Sequence, residues 1–177
     1  MKANVLLPAL LTLTLLNACA PTAAPPAAAP QPVETPSPAP APLPAPAADW
    51  RDAPLTPGTW RWSAASGQSA ASFERAGEPP LVVLRCAAPG TIQLTHAAAA
   101  ATQPTPLAVT TSSGTFPLMT DPVIAGTSSV AVTLPARAPV LDAMAYSRGR
   151  FVIEVAGLAP SYLPAWPEVA RVIEDCR

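Results

Sequence analysis

Beyond residue 57 the apolar positions recur at every second residue in a series of short runs. Trp60 and Trp62 flank Arg61, Ile92 and Leu94 flank Gln93, and Val130 and Val132 flank Ala131, while Phe151, Ile153 and Val155 alternate with Val152 and Glu154. A period of two places each set on one face of a strand. Gly and Pro punctuate the runs, and together they predict strands over Thr59 to Ser63, Ala71 to Arg75, Leu81 to Cys86, Thr91 to His96, Leu107 to Thr111, Thr115 to Met119, Ser129 to Leu134 and Arg150 to Ala156. Leu81 to Leu84 is apolar without a break, the pattern of a central strand covered on both faces.

Two segments switch to a helical period. Pro139 to Ser147 opens with a proline suited to a first turn, carries Val140, Ala143 and Met144 at helical spacing, and meets a stop at Gly149. Trp166 to Cys176 places Trp166, Val169, Ala170, Ile173 and Cys176 on one stripe, with Glu168, Arg171, Glu174 and Asp175 off it. On that helix Arg171 is spaced to pair with Glu168 and Asp175. The expected fold is mainly β, a small antiparallel β-sandwich or barrel-like domain, with a short helix and a C-terminal helix packed on it.

Residues 20–47 cannot join that core. They hold eleven of the chain's 26 prolines and a single charge, Glu34. Proline fixes φ and disfavours helix in the residue before it, so the segment is expected as an extended linker of polyproline II type, reaching on the order of 80 Å at about 3.1 Å per residue. Its P-x-x-P spacings are of the kind repeated prolines produce by chance. The expected layout is a leader over residues 1–18, Cys19 with the linker to residue 47, and a globular domain over residues 48–177.

The leader sets the compartment. Met1 and Lys2 precede an apolar run from Val5 to Leu16, within the length of an export signal and too short to span a bilayer. The tetrad Leu16-Asn17-Ala18-Cys19 that closes it resembles the lipobox of bacterial lipoproteins. Membership implies diacylation of Cys19, cleavage before it, and anchoring by two or more acyl chains, since one holds only marginally. Ala20 after the Cys resembles sorting to the outer membrane, with the domain in the periplasm. An ordinary secretory peptide, cleaved near Ala18 or Ala20, is the alternative.

Charge and cysteine count then narrow the function. Lys2 is the only lysine, and beyond the leader nine arginines face eleven acids, without the clustered basic excess that nucleic acid requires. With Cys19 assigned to lipid, three cysteines become one pair, Cys86 with Cys176, in an oxidising compartment. Two buried free thiols are the alternative.

Residues that carry chemistry are few. His96 is the only histidine, on the face shared by Ile92 and Leu94, and reads as a structural residue; a periplasmic hydrolase using it is the rival. No G-x-S-x-G nucleophile elbow is present, and S-x-x-K cannot occur without lysine. Neither C-x-x-C nor H-E-x-x-H appears, so neither metal nor cofactor is expected. The adjacent acids Glu174 and Asp175 read as a solvated helix flank. Trp60, Trp62 and Trp166 fall on apolar faces and read as core, leaving Trp50 as the more exposed ring for stacking on sugars of peptidoglycan or lipopolysaccharide. Arg148 and Arg150, beside Gly149, form a corner suited to an anion or a partner, with internal pairing to Asp142 or Glu154 as the alternative.

The strand ending in Cys86, the later strand Phe151 to Val155 followed by Gly157-Leu158, and a last helix closing on Cys176 resemble small exported β-sandwich proteins. Similar are the invasion-associated locus B family and the accessory lipoproteins of type VI secretion. The resemblance implies an envelope or secretion-associated role and no catalytic residue. Taken together, the expectation is a non-enzymatic envelope lipoprotein that meets the membrane through its lipid and binds another envelope protein or peptidoglycan.

Overall fold

A computed structural model of the chain describes residues 49–98, 102–123 and 126–177. The expected leader, Cys19, the linker and residue 48 lie outside the described residues. Among the described residues nine strands and two helices occur: β1 Thr59–Ser63, β2 Ala70–Glu74, β3 Val82–Ala88, β4 Thr91–Ala97, β5 Pro106–Thr111, β6 Gly114–Met119, β7 Ser129–Pro135, α1 Pro139–Ala145, β8 Arg150–Val155, β9 Ser161–Pro164 and α2 Pro167–Asp175. The strands form two antiparallel sheets, ordered β1-β2-β3-β4-β7 and β6-β5-β8-β9. This is a small β-sandwich with a C-terminal helix, and no barrel closes.

Register shows why the alternating runs form it. Across the first sheet Trp60, Phe73, Val82, His96 and Val130 align in one row, and Trp62, Ala71, Leu84, Leu94 and Val132 in the next. Both rows face inward, and against them the second sheet sets Leu107, Val109, Phe151, Ile153, Val155 and Leu163, all buried. Arg61, Arg85 and Thr133 alternate outward and stay exposed. Burying about a dozen such side chains at roughly 1.5 to 3 kcal/mol each is the main force holding the sheets together.

The strand read as covered on both faces is not. Val82 and Leu84 are buried, but Val83 is only half-buried on the outer face of the first sheet. The strands buried on both faces are β5 and β8, where even Thr110 and Glu154 are enclosed. Apolar continuity within a strand reports its own surface, whereas burial depends on what lies over it.

The helices correct a second reading. Both begin at proline, after an extended residue. In α2 the buried residues are Val169, Val172, Ile173 and Cys176, not Ala170, and Trp166 is 42% exposed. Trp166 occupies the N-cap position with φ −92° and ψ 161°, so its extended backbone swings the ring off the helical stripe. The buried face of α2 packs on β1, β2, β3 and α1. Arg177 ties the two helices, donating to the carboxylates of Asp142 and Glu174 and to the carbonyl of Ala136.

Candidate functional site

Where α2 crosses the end of the first sheet, an open groove of about 650 Å³ lies between the helix and the β1–β2 and β3–β4 connections. Its construction starts at the β3–β4 turn. Pro89-Gly90 reverses the chain, and Gly90 at φ +78° takes the left-handed backbone that a side chain would strain. Gly90 N–H then donates to the Cys176 carbonyl, and its own carbonyl accepts from Ala136, fixing the turn to the end of α2. Cys86 continues the inward alternation of Val82 and Leu84, opposite Ile92, and a bulge between Cys86 and Ala88 follows it. Cys86 and Cys176 are joined there by a disulfide, with Cα atoms 5.4 Å apart.

On that floor stands a chain of polar groups. Trp62 Nε1–H donates to Ser69 Oγ at 2.8 Å, and Ser69 Oγ–H donates to Asp175 Oδ2 at 2.6 Å. Arg171, one turn earlier on α2, lies over the Trp62 ring with its guanidinium carbon 3.3 Å from the centroid. A stacked guanidinium keeps its N–H donors free in the plane, around the edge of the ring. Its Nε is 3.9 Å from Asp175 Oδ2, and both side chains remain at least 40% exposed, so water screens that pair and leaves both groups accessible. Gln68, Ala87, Ala88 and Pro89 complete the wall.

This constellation differs from the sequence expectation. Trp62 is half-buried, packed against the core and lining the groove, and Asp175, exposed on the helix flank as expected, is also an acceptor held by Ser69. Ser69 carries no sequence signal. Its contact with Asp175 joins residues 106 apart in sequence, and no local pattern announces such a contact.

His96 lies elsewhere, between the sheets, 3% exposed. Its Nδ1 is 2.6 Å from the Ala97 carbonyl and its Nε2 2.9 Å from Ser161 Oγ. A carbonyl only accepts, so Nδ1 carries the proton and Nε2 accepts from the serine hydroxyl. The order resembles nucleophile and base, but Ser161 is 4% exposed and sits in β9, so the pair ties the two sheets inside the core. Burial holds the imidazole below its usual range, with the bond to Ala97 opposing. A folded state that resists protonation keeps its full stability above about pH 6.5 and loses it as pH falls toward the depressed folded-state value. The thermal midpoint should therefore drop between pH 7 and pH 5 more steeply in the native chain than in His96→Gln. Parallel pH profiles would count against a buried neutral imidazole.

The arginine corner is divided. Arg150 reaches back to the Ala53 carbonyl, and its expected alternatives are otherwise engaged, Asp142 by Arg177 and Glu154 by the Thr110 hydroxyl at 3.2 Å. Arg148 is exposed, with its backbone N–H on Ser112 Oγ at 3.1 Å, and Tyr146 beside it is 72% exposed. Trp50 is half-buried under the guanidinium of Arg51, and Trp60 is core. Among the described residues no group of three His, Cys, Asp or Glu side chains is placed to hold a metal, and no helix is long and apolar enough to cross a membrane. Comparison with known proteins finds no matching family, no similar curated protein and no similar solved structure.

Proposed function

We propose that this chain is a lipid-anchored protein of the bacterial cell envelope whose β-sandwich is a non-catalytic binding module, held off the membrane by the proline-rich linker. The observation that carries the binding role is the groove: Ser69 is buried and positions Asp175, while Arg171, Asp175 and Gln68 are open to solvent. The one imidazole is enclosed between sheets with its serine partner, which favours a structural role over hydrolysis. A disulfide at the groove floor accords with an oxidising compartment. Anchoring rests on the lipobox ending in Cys19, and the outer membrane on Ala20.

Two or more acyl chains bind a bilayer stably and none does not, at about 0.8 kcal/mol per buried methylene. Cys19→Ser should therefore move the protein from the membrane fraction to the soluble periplasmic fraction and abolish the mass increment of acylation. A variant that stays in the membrane fraction at the native level would remove the anchor from this reading.

A further inference from the structure

We infer that the groove between α2 and the β3–β4 turn binds a neutral, hydroxyl-rich saccharide, with Arg171 and Asp175 as its paired donor and acceptor. The inference rests on the reading of the sandwich as a binding module and names the ligand class of that same groove.

Hydrogen-bond inventory is the first argument. A sugar hydroxyl donates one bond and accepts others, so a site for vicinal hydroxyls needs a donor and an acceptor side by side. Arg171 only donates, Asp175 only accepts, and 3.9 Å separates them. Gln68, on the same wall, does both. The Ser69 hydroxyl is already committed to Asp175, so its part is to aim the carboxylate.

Charge is the second. An anion approaching Arg171 meets the Asp175 carboxylate, and a cation approaching Asp175 meets the guanidinium. Arg177, also on the groove, is neutralised by Glu174 and Asp142. The groove thus offers directional polarity without a net field of one sign, which suits an uncharged polyol better than a phosphate or a charged peptide terminus.

Shape and order are the third. A volume of about 650 Å³ falls within the usual range for small-ligand sites. Ala87, Ala88, Pro89 and the disulfide give an apolar wall for the C–H face of a pyranose. One face of Trp62 is covered by Arg171, so the ring acts as a platform for the guanidinium. Trp62, Ser69 and the disulfide hold the polar pair in place before a ligand arrives, which lowers the ordering cost of binding.

The test titrates the full-length lipidated chain, in detergent micelles, with tri-N-acetylchitotriose and with maltotriose, read by tryptophan fluorescence and calorimetry. The two sugars separate an acetamido-bearing source from a purely hydroxylic one. Saturable binding of either at millimolar concentration is expected, weakened about ten-fold or more by Asp175→Asn and by Arg171→Gln, a loss of about 1.4 kcal/mol. Arg61→Gln, on the outer face of the same sheet, should bind as the native chain does. The inference is overturned if neither sugar binds, if binding is unchanged in both groove variants, or if only a stem peptide or a phosphorylated oligosaccharide saturates the site. Saturation by the stem peptide or the phosphorylated oligosaccharide alone would refute the saccharide class and leave the binding role standing, whereas no saturation by any of the four would refute both.

Discussion

Breaking the Cys86–Cys176 bond is expected to cost the sandwich about 2 to 5 kcal/mol. The bond spans 90 residues, so in the oxidised unfolded chain it removes much conformational freedom, and chain entropy alone sets an upper estimate of about 4 to 5 kcal/mol. A domain of this size has roughly 5 to 15 kcal/mol in all, and the midpoint of thermal unfolding should fall by about 10 to 20 °C on full reduction. Melts followed by circular dichroism with and without a phosphine reductant, and on the Cys86→Ser, Cys176→Ser double variant, measure it. A midpoint that moves by less than about 2 °C in both would show that the crosslink contributes little to stability. The loss should also be local in its first effect. Cys176 follows directly on Asp175, so freeing it loosens the acceptor of the groove together with the helix end.

The fold was legible in the sequence to the extent that burial is periodic. Eight of the nine strands stand out because each alternates or runs apolar between Gly and Pro, and most observed ends lie within one residue of the expected ones. The ninth strand, Ser161–Pro164, does not stand out: four residues that follow Pro160 and end in Pro164 carry too little pattern. With it went Ser161, the partner of His96. The pairing of Cys86 with Cys176 was accessible to counting, because assigning one of three cysteines to lipid leaves a single connectivity. The groove was not. Trp62, Ser69, Arg171 and Asp175 come from a strand, a connection and a helix that meet only once the chain has closed over about a hundred residues. Trp62 and Arg171 were visible as an apolar-face residue and a helix-flank charge, but alternation cannot tell a ring in the core from a ring at its rim. Arg148 and Arg150 show the converse, neighbours in sequence that the fold divides: Arg150 donates to the Ala53 carbonyl, 97 residues away, while Arg148 is exposed.

Trp60 is the side chain whose loss should cost most after the disulfide. It is 4% exposed, packs edge-on against Phe73 with ring centroids 5.3 Å apart, and lies 6.4 Å from Phe151 of the opposite sheet. Its Nε1–H donates to the Pro164 carbonyl at 2.8 Å, a bond inside the core between residues 104 apart. Pro164 ends β9 two residues before the N-cap of α2, so this one side chain joins the first strand to the last and sets where the helix departs. Trp60→Ala removes the ring from between the sheets and should destabilise by about 3 to 5 kcal/mol, since a β-sandwich closes such a cavity only partly. Trp60→Phe keeps most of the aromatic contact and removes one of two bonds to the Pro164 carbonyl, which also accepts from Trp166 N–H at 3.1 Å, so a loss of about 0.5 to 1.5 kcal/mol is expected. Urea unfolding of both variants at an unchanged m-value separates the two contributions: the midpoint should fall in the order native, Phe, Ala. Equal losses in Phe and Ala would assign the role of Trp60 to its hydrogen bond alone, and losses under about 1 kcal/mol in both would mean that the sheets are held without it.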